Sequence, residues 1–201
     1  MRHAVRHLKA SDPVLASIIQ AVGPYRIDYR PPTFDTLVRS IVYQQVSGNV
    51  ARAILERLRT TAQQEELTAP RMLELRRDRL RKAGLSKQKT EYIKELARHT
   101  HSGTLDFRAL PDATDDAIIE TLTAVKGIGV WTAQMFLIFA LRRPDVLPTG
   151  DLGVRKAMQI AYQLDELPKP ARMEEIAAPW RPFCSVASWY LWRSLDGIAG
   201  I

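Results

Sequence analysis

At 201 residues the chain can bury a sizeable core as one domain or as two small lobes. With 29 Lys and Arg against 22 Asp and Glu it carries a net charge of +7, which favours a polyanionic partner such as nucleic acid. The single cysteine, Cys184, excludes an internal disulfide, a thiolate-bound zinc and an iron–sulfur cluster. The N-terminus lacks the apolar core of a signal peptide and no apolar run is long enough to span a membrane, so a cytoplasmic, nucleoid-associated protein is expected.

In chain order, residues 1–11 are basic and read as a loosely held arm. His3 and His7 have helical spacing but no carboxylate or thiol beside them, which favours solvated side chains over a metal site. Ser11-Asp12-Pro13 is a helix start and Gly23-Pro24 a stop. After a proline-bearing connector, Phe34 to Gln45 repeats apolar residues at helical spacing. Val46-Ser47-Gly48-Asn49 interrupts it, and Val50 to Leu58 continues as a new helix. Gln44 and Gln45 sit at that break, which a polar helix terminus by itself explains better than a binding role.

Pro70 opens a short helix. From Arg76 to Lys89 there are seven basic residues and one acid, around a stop at Gly84 and a cap at Ser86. Such a run is either a solvated face or a phosphate-binding one. A helix through Tyr92, Ile93, Leu96 and Ala97 follows, closed by His99 and His101.

Thr114-Asp115-Asp116 caps the helix that leads into Lys126-Gly127-Ile128-Gly129, a reversal short enough to need the positive φ angles of glycine. Val130 to Leu141 is almost wholly apolar and suits a helix buried on most sides. The N–H groups of its first turn are ready to receive a phosphate oxygen. Leu147-Pro148-Thr149-Gly150-Asp151 is a turn presenting a carboxylate, which by itself is also an ordinary N-cap for the helix from Leu152 to Tyr162. A short helix over Ala171 to Ala178 precedes a last helix beginning at Trp180-Arg181-Pro182 and carrying Phe183, Trp189, Tyr190 and Trp192. No segment alternates with a period of two, so the chain is expected to be all-α.

The stretch from Leu122 to Ala133 (Leu-x-x-Val-Lys-Gly-Ile-Gly-Val-Trp-Thr-Ala), followed by Leu-Pro-Thr-Gly-Asp151, resembles the helix-hairpin-helix DNA glycosylases that carry a Gly/Pro-rich loop and a catalytic aspartate. Three further stretches resemble the branch that excises alkylated bases, the AlkA-like DNA-3-methyladenine glycosylase II family. These are Phe34 to Ser47 with its Gln-Gln-Val-Ser, Gly84-Leu-Ser-x-x-Lys-x-x-Tyr-Ile, and Trp180-Arg-Pro with Trp192. The resemblance implies a two-lobed all-helical fold with its active site in the cleft between lobes. It implies one compact unit over 1–201, with 30–110 and 111–201 supplying the lobes and the N-terminal segment packing on the second. The β-rich N-terminal domain of some relatives has no room here.

By the same resemblance Asp151 is the catalytic carboxylate, Gln45 the wedge that fills the gap left by an extruded base, and Trp131, Trp192, Met135 and Phe34 line the base pocket. Lys126, Gly127, Gly129, Val130 and Thr132 of the hairpin, with Lys87 and Lys89, contact DNA phosphates. The carbonyls of Thr123, Val125 and Ile128 hold a monovalent cation, Na+ or K+, when DNA is bound; no other cofactor is implied. The partner is double-stranded DNA containing alkylated bases, acted on by a monomer. The chemistry is coherent: bond cleavage builds positive charge on the sugar, which a fixed carboxylate stabilises, and aromatic rings favour a cationic base. Trp131 stands where bifunctional relatives have a Schiff-base lysine, so a monofunctional enzyme leaving an abasic site is expected. Cys184 stands where relatives often have arginine. Two other readings are a non-catalytic helix-hairpin-helix DNA-binding module, with Asp151 only a cap, and a glycosylase for oxidised or mismatched bases.

Overall fold

The structure, a computed structural model, describes residues 1–196. Among them there are α-helices and two 3-10 turns and no strand, as the absence of a two-residue period implies. The helices in chain order are α1 (Arg2–Ser11), α2 (Pro13–Val22), α3 (Phe34–Tyr43), α4 (Gly48–Ala62), α5 (Ala69–Glu74) and α6 (Arg77–Lys82). Then come α7 (Lys87–His101), α8 (Asp115–Thr123), α9 (Val130–Phe139), α10 (Leu152–Ala161), α11 (Pro170–Ala177) and α12 (Cys184–Asp196). No described helix is long and apolar enough to cross a membrane. The chain divides into two compact units. One is Arg30–Phe136; the other joins Met1–Tyr29 to the chain from Leu137 onward, so the division falls inside α9.

In the unit that contains the N-terminus, α12 packs on α10 and α2. Residues 2–11 are not a loose arm. They form α1, because Ala4 and Leu8, one turn apart, bury against this core while Arg2, Arg6 and Lys9 stay on the solvent side. Nor are His3 and His7 simply solvated: both rings meet Phe183 edge-on, and His7 Nε2 lies 3.1 Å from the carbonyl of Pro179. Asp12 caps α2 through the N–H of Leu15 (3.0 Å), and its other oxygen accepts from Tyr162 Oη (2.5 Å) and Trp180 Nε1 (2.8 Å). A buried carboxylate with three donors is thereby satisfied, and it ties the start of α2 to α10. Trp180 ends a 3-10 turn (Ala178–Trp180), and the last helix starts at Cys184, two residues past Pro182.

In the Arg30–Phe136 unit, α7 is the central strut, packed on α3, α5 and α6. Ser86 caps it by accepting from the N–H of Lys89 (3.1 Å). Two of its lysines serve as caps for other helices. The ammonium of Lys94, 6% exposed, donates to the carbonyls of Leu73 (2.9 Å) and Leu75 (2.5 Å) at the end of α5. Lys89 does the same for α3, donating to Val42 (2.7 Å) and Gln44 (2.6 Å). Burial pushes the pKa of both ammonium groups down.

Candidate active site

Asp151 opens α10. Its N–H donates to the carbonyl of Pro148 (2.9 Å), closing the turn that the Pro-Thr-Gly sequence prescribes. Its Oδ1 accepts from the N–H of Val154 (2.8 Å), so the N-cap reading holds structurally. The same oxygen accepts from Trp192 Nε1 at 2.9 Å. The carboxylate is 8% exposed. Trp192, expected as a wall of the base pocket, is thus a hydrogen-bond donor to the carboxylate, and its ring stacks on Phe139 at 5.7 Å and 24°.

The loop that delivers Asp151 is stapled to the start of α12. Ser185 Oγ accepts from the N–H of Val146 (3.0 Å) and donates to the carbonyl of Arg143 (2.7 Å), while its own N–H donates to Pro144 (3.0 Å). Asp145 accepts from the N–H of Cys184 (3.2 Å) and from Arg181 (3.0 Å), and Arg181 also grips Glu174 (2.7 Å). Burial raises the Asp145 pKa, but the donors from Cys184 and Arg181 outweigh it and the net shift is downward. Arg181, three residues before Cys184, therefore anchors the start of the C-terminal helix. Gly153 completes the arrangement: a Cβ there would lie 3.1 Å from both Asp151 Oδ1 and Trp192 Cδ1. A glycine in the first turn of a helix is a signal of close approach that the sequence carried. Ser185 and Asp145 had none, because their partners lie 36–42 positions away; Arg181 was visible only as part of the Trp-Arg-Pro motif, without its role.

In the Arg30–Phe136 unit the reversal between α8 and α9 runs from Ala124 to Gly129, two residues longer than the four-residue hairpin expected, and Ile128 N–H closes it on Val125 (3.0 Å). Gly127 has φ +98°, and a Cβ on it would collide with the Tyr92 ring at 2.2–2.6 Å. Gly129 differs: its φ is not in the left-handed region, and a Cβ would meet nothing within 4 Å. α9 is less enclosed at its start than its composition implies, with Val130 54% and Trp131 47% exposed, whereas Thr132 and the residues from Phe136 to Ile138 are buried. Lys126 is exposed, as is Lys87 on α7.

Gln45 lies just past α3 in a left-handed conformation (φ +56°), and residues 45–50 are all exposed. Gln44 Nε2 donates to the carbonyl of Gly127 (3.0 Å), joining this turn to the hairpin. Lys89, expected at a phosphate, is engaged with the two carbonyls at the end of α3 instead. Phe34 is a buried side chain at the first turn of α3 and Met135 is partly buried.

A family model described as HhH-GPD superfamily base excision DNA repair protein matches residues 38–182. DNA-3-methyladenine glycosylase 1 of Schizosaccharomyces pombe is 30% identical over 197 residues, covering 94% of this chain and 85% of that protein. The crystal structure of a DNA-3-methyladenine glycosidase from Bacillus halodurans superposes with a TM-score of 0.88 at 36% identity, over 98% of this chain and 90% of that one. The 3-methyladenine DNA glycosylase Mag1 of Schizosaccharomyces pombe, in complex with abasic DNA, gives 0.83 at 28% identity over 96% and 97%.

Proposed function

The chain belongs to the HhH-GPD superfamily of base excision DNA repair proteins and is a DNA glycosylase, and from that premise we propose that it removes alkylated purines, of the 3-methyladenine and 7-methylguanine type, from duplex DNA as a monofunctional, monomeric enzyme of the nucleoid. The observation that carries this reading is Asp151, buried yet held by two N–H donors on one oxygen at the start of α10. A carboxylate fixed in that way stabilises positive charge growing on the sugar and orients the attacking water without reorganising.

Trp131 supports the substrate class. Trp131 is 47% exposed at the start of α9, where a ligand can reach the indole, and a cationic base gains from an aromatic face what a neutral base does not. Its presence where a lyase has a lysine supports hydrolysis that leaves an abasic site. Gln45, exposed at the tip of its turn, is the wedge; its amide can pair with the orphaned base. Trp192 acts on Asp151 more directly than on the base, and Phe34 and Met135 are assigned to the base pocket by the resemblance to the family.

The hairpin is the phosphate anchor. Neither backbone angle nor local crowding calls for glycine at 129; it stands at the N-cap of α9, where glycine is well tolerated and leaves room for a ligand to approach the first-turn N–H groups. The backbone N–H groups of Gly127, Gly129, Val130 and Thr132 and the charges of Lys126 and Lys87 serve the same contact. The carbonyls of Thr123, Val125 and Ile128 form an all-oxygen set, which suits a hard cation such as Na+ or K+. Val125 already accepts one N–H, from Ile128, and its second lone pair is what a cation would use.

The test is base release from methylated duplex DNA by wild type and Asp151→Asn. Free methylpurine from wild type alone, with strand breaks only after alkali, is expected. Since asparagine caps a helix about as well as aspartate, an equally active Asp151→Asn protein would reduce Asp151 to a cap and favour a pure DNA-binding module.

A further inference from the structure

We propose that Lys89 is a positioning residue that presents Gln45 to the duplex, rather than a phosphate contact. The proposal rests on the assignment of Gln45 as the wedge.

A non-glycine residue in the left-handed region is strained by about 1 kcal/mol or more, and Gln45 lies exposed at a chain reversal. Something must hold that conformation. The residue before it, Gln44, is gripped at both ends: its carbonyl accepts from Lys89 Nζ (2.6 Å) and its side-chain amide donates to Gly127 (3.0 Å). The same ammonium holds Val42 (2.7 Å), so it bridges the last carbonyls of α3 across the point where the helix unwinds. These are charge-assisted bonds in a partly buried setting, stronger and more directional than bonds to water.

Three residues further along α7, Tyr92 packs its ring against Gly127 and is hydrogen-bonded through its hydroxyl by Gln88. One face of α7 thus fixes both the wedge turn and the hairpin, and Gln44 links the two directly. If the hairpin anchors a phosphate, this connection sets the position of Gln45 relative to the anchored backbone. Wedging requires that: a side chain entering a stacked duplex must arrive in register with the strand it is to support, and misplacement by about 1 Å can cost as much as a hundredfold.

Excision of 7-methylguanine from an oligonucleotide, single-stranded and in duplex, reads this out for Lys89→Met, Lys89→Arg and Gln45→Ala. Lys89→Met and Gln45→Ala should each lower the ratio of duplex to single-strand rate about tenfold, whereas Lys89→Arg, which keeps two donors, should restore it. A residue needed only for folding would lower both rates together. If Gln45→Ala lowers the ratio and Lys89→Met does not, the positioning role is overturned and the wedge stands. If Gln45→Ala leaves the ratio unchanged, the wedge assignment itself fails. Binding supplies a second readout: loss of about one unit from the slope of log affinity against log salt in Lys89→Met would identify the ammonium as a phosphate contact and overturn the proposal. Should Lys89→Met not fold, Gln44→Leu, which removes only the bond to Gly127, is read by the same ratio and should lower it.

Discussion

The indole N–H of Trp192 donates to Oδ1 of Asp151 at 2.9 Å, and the N–H of Val154 donates to the same oxygen at 2.8 Å. One carboxylate oxygen therefore carries two tethers, one to its own helix and one to α12. The cap fixes the oxygen relative to α10, and the indole fixes its rotation about χ. Because α12 is also stapled to the preceding loop through Ser185 and Asp145, the carboxylate is gripped through one helix at two points.

Trp192→Phe should separate these effects. The ring stack on Phe139 survives and one hydrogen bond is lost, so stability should fall by about 1 kcal/mol at most. Single-turnover base release should fall by about tenfold to a hundredfold, since the carboxylate loses one of the bonds that orient it. Equal activity would make the tether irrelevant to catalysis.

Gly153→Ala sets helix propensity against crowding. Alanine inside a helix is favoured by about 1 kcal/mol over glycine, but here its Cβ would press on Asp151 Oδ1 and Trp192 at 3.1 Å. Melting temperature should change little while base release falls at least about tenfold. A stabilised and fully active variant would show that the contact relaxes without moving the carboxylate.

The two hairpin glycines should respond in opposite ways. Gly127→Ala meets a positive φ and the Tyr92 ring, and should destabilise by about 1–3 kcal/mol. Gly129→Ala meets neither and should stay within about 0.5 kcal/mol of wild type. A loss of duplex affinity in that variant, read by titration, would then report the proposed phosphate contact alone.

Trp131→Ala removes a half-exposed ring, so its cost in stability should be modest. Loss of the proposed cation–π contact predicts a fall of about tenfold in kcat/KM for 7-methylguanine, and a smaller one for a neutral lesion such as hypoxanthine. Parallel losses for both would argue that the ring selects shape rather than charge.

The Asp145 staple predicts an acid limb to stability. Its folded pKa lies below the ordinary 3.8, so the unfolded chain takes up the proton first as pH falls. The stabilisation it brings is complete above about pH 3.8 and disappears as pH drops through the lowered folded value. Denaturant melts of wild type and Asp145→Asn should differ near neutrality and converge below that window.

Helix periodicity, the caps at Asp12, Ser86 and Thr114, the glycine stop at Gly84 and the Pro-Thr-Gly turn before Asp151 were all legible in the chain, because each depends on residues within about four positions. That was enough for an all-helical fold and, with four ordered motifs, for the family. Where local pattern was misleading, tertiary packing had overruled it. Residues 2–11 look like a basic arm until Ala4 and Leu8 find a core built largely from helices beyond residue 147. The start of α9 looks buried by composition, yet Val130 and Trp131 face outward. Lys89 looks like one more member of a basic run, and only folding brings carbonyls 45 and 47 positions away to within 3 Å of its ammonium. Charge and hydropathy describe what a side chain can do, whereas the partner that decides which of those things it does is set by contacts between segments far apart in the chain. The candidate carboxylate, the tryptophan and the glycine beside it were visible in the sequence; that the indole and Ser185 tether that carboxylate and its loop was decided by tertiary structure, because those partners lie 41 and 39 positions apart.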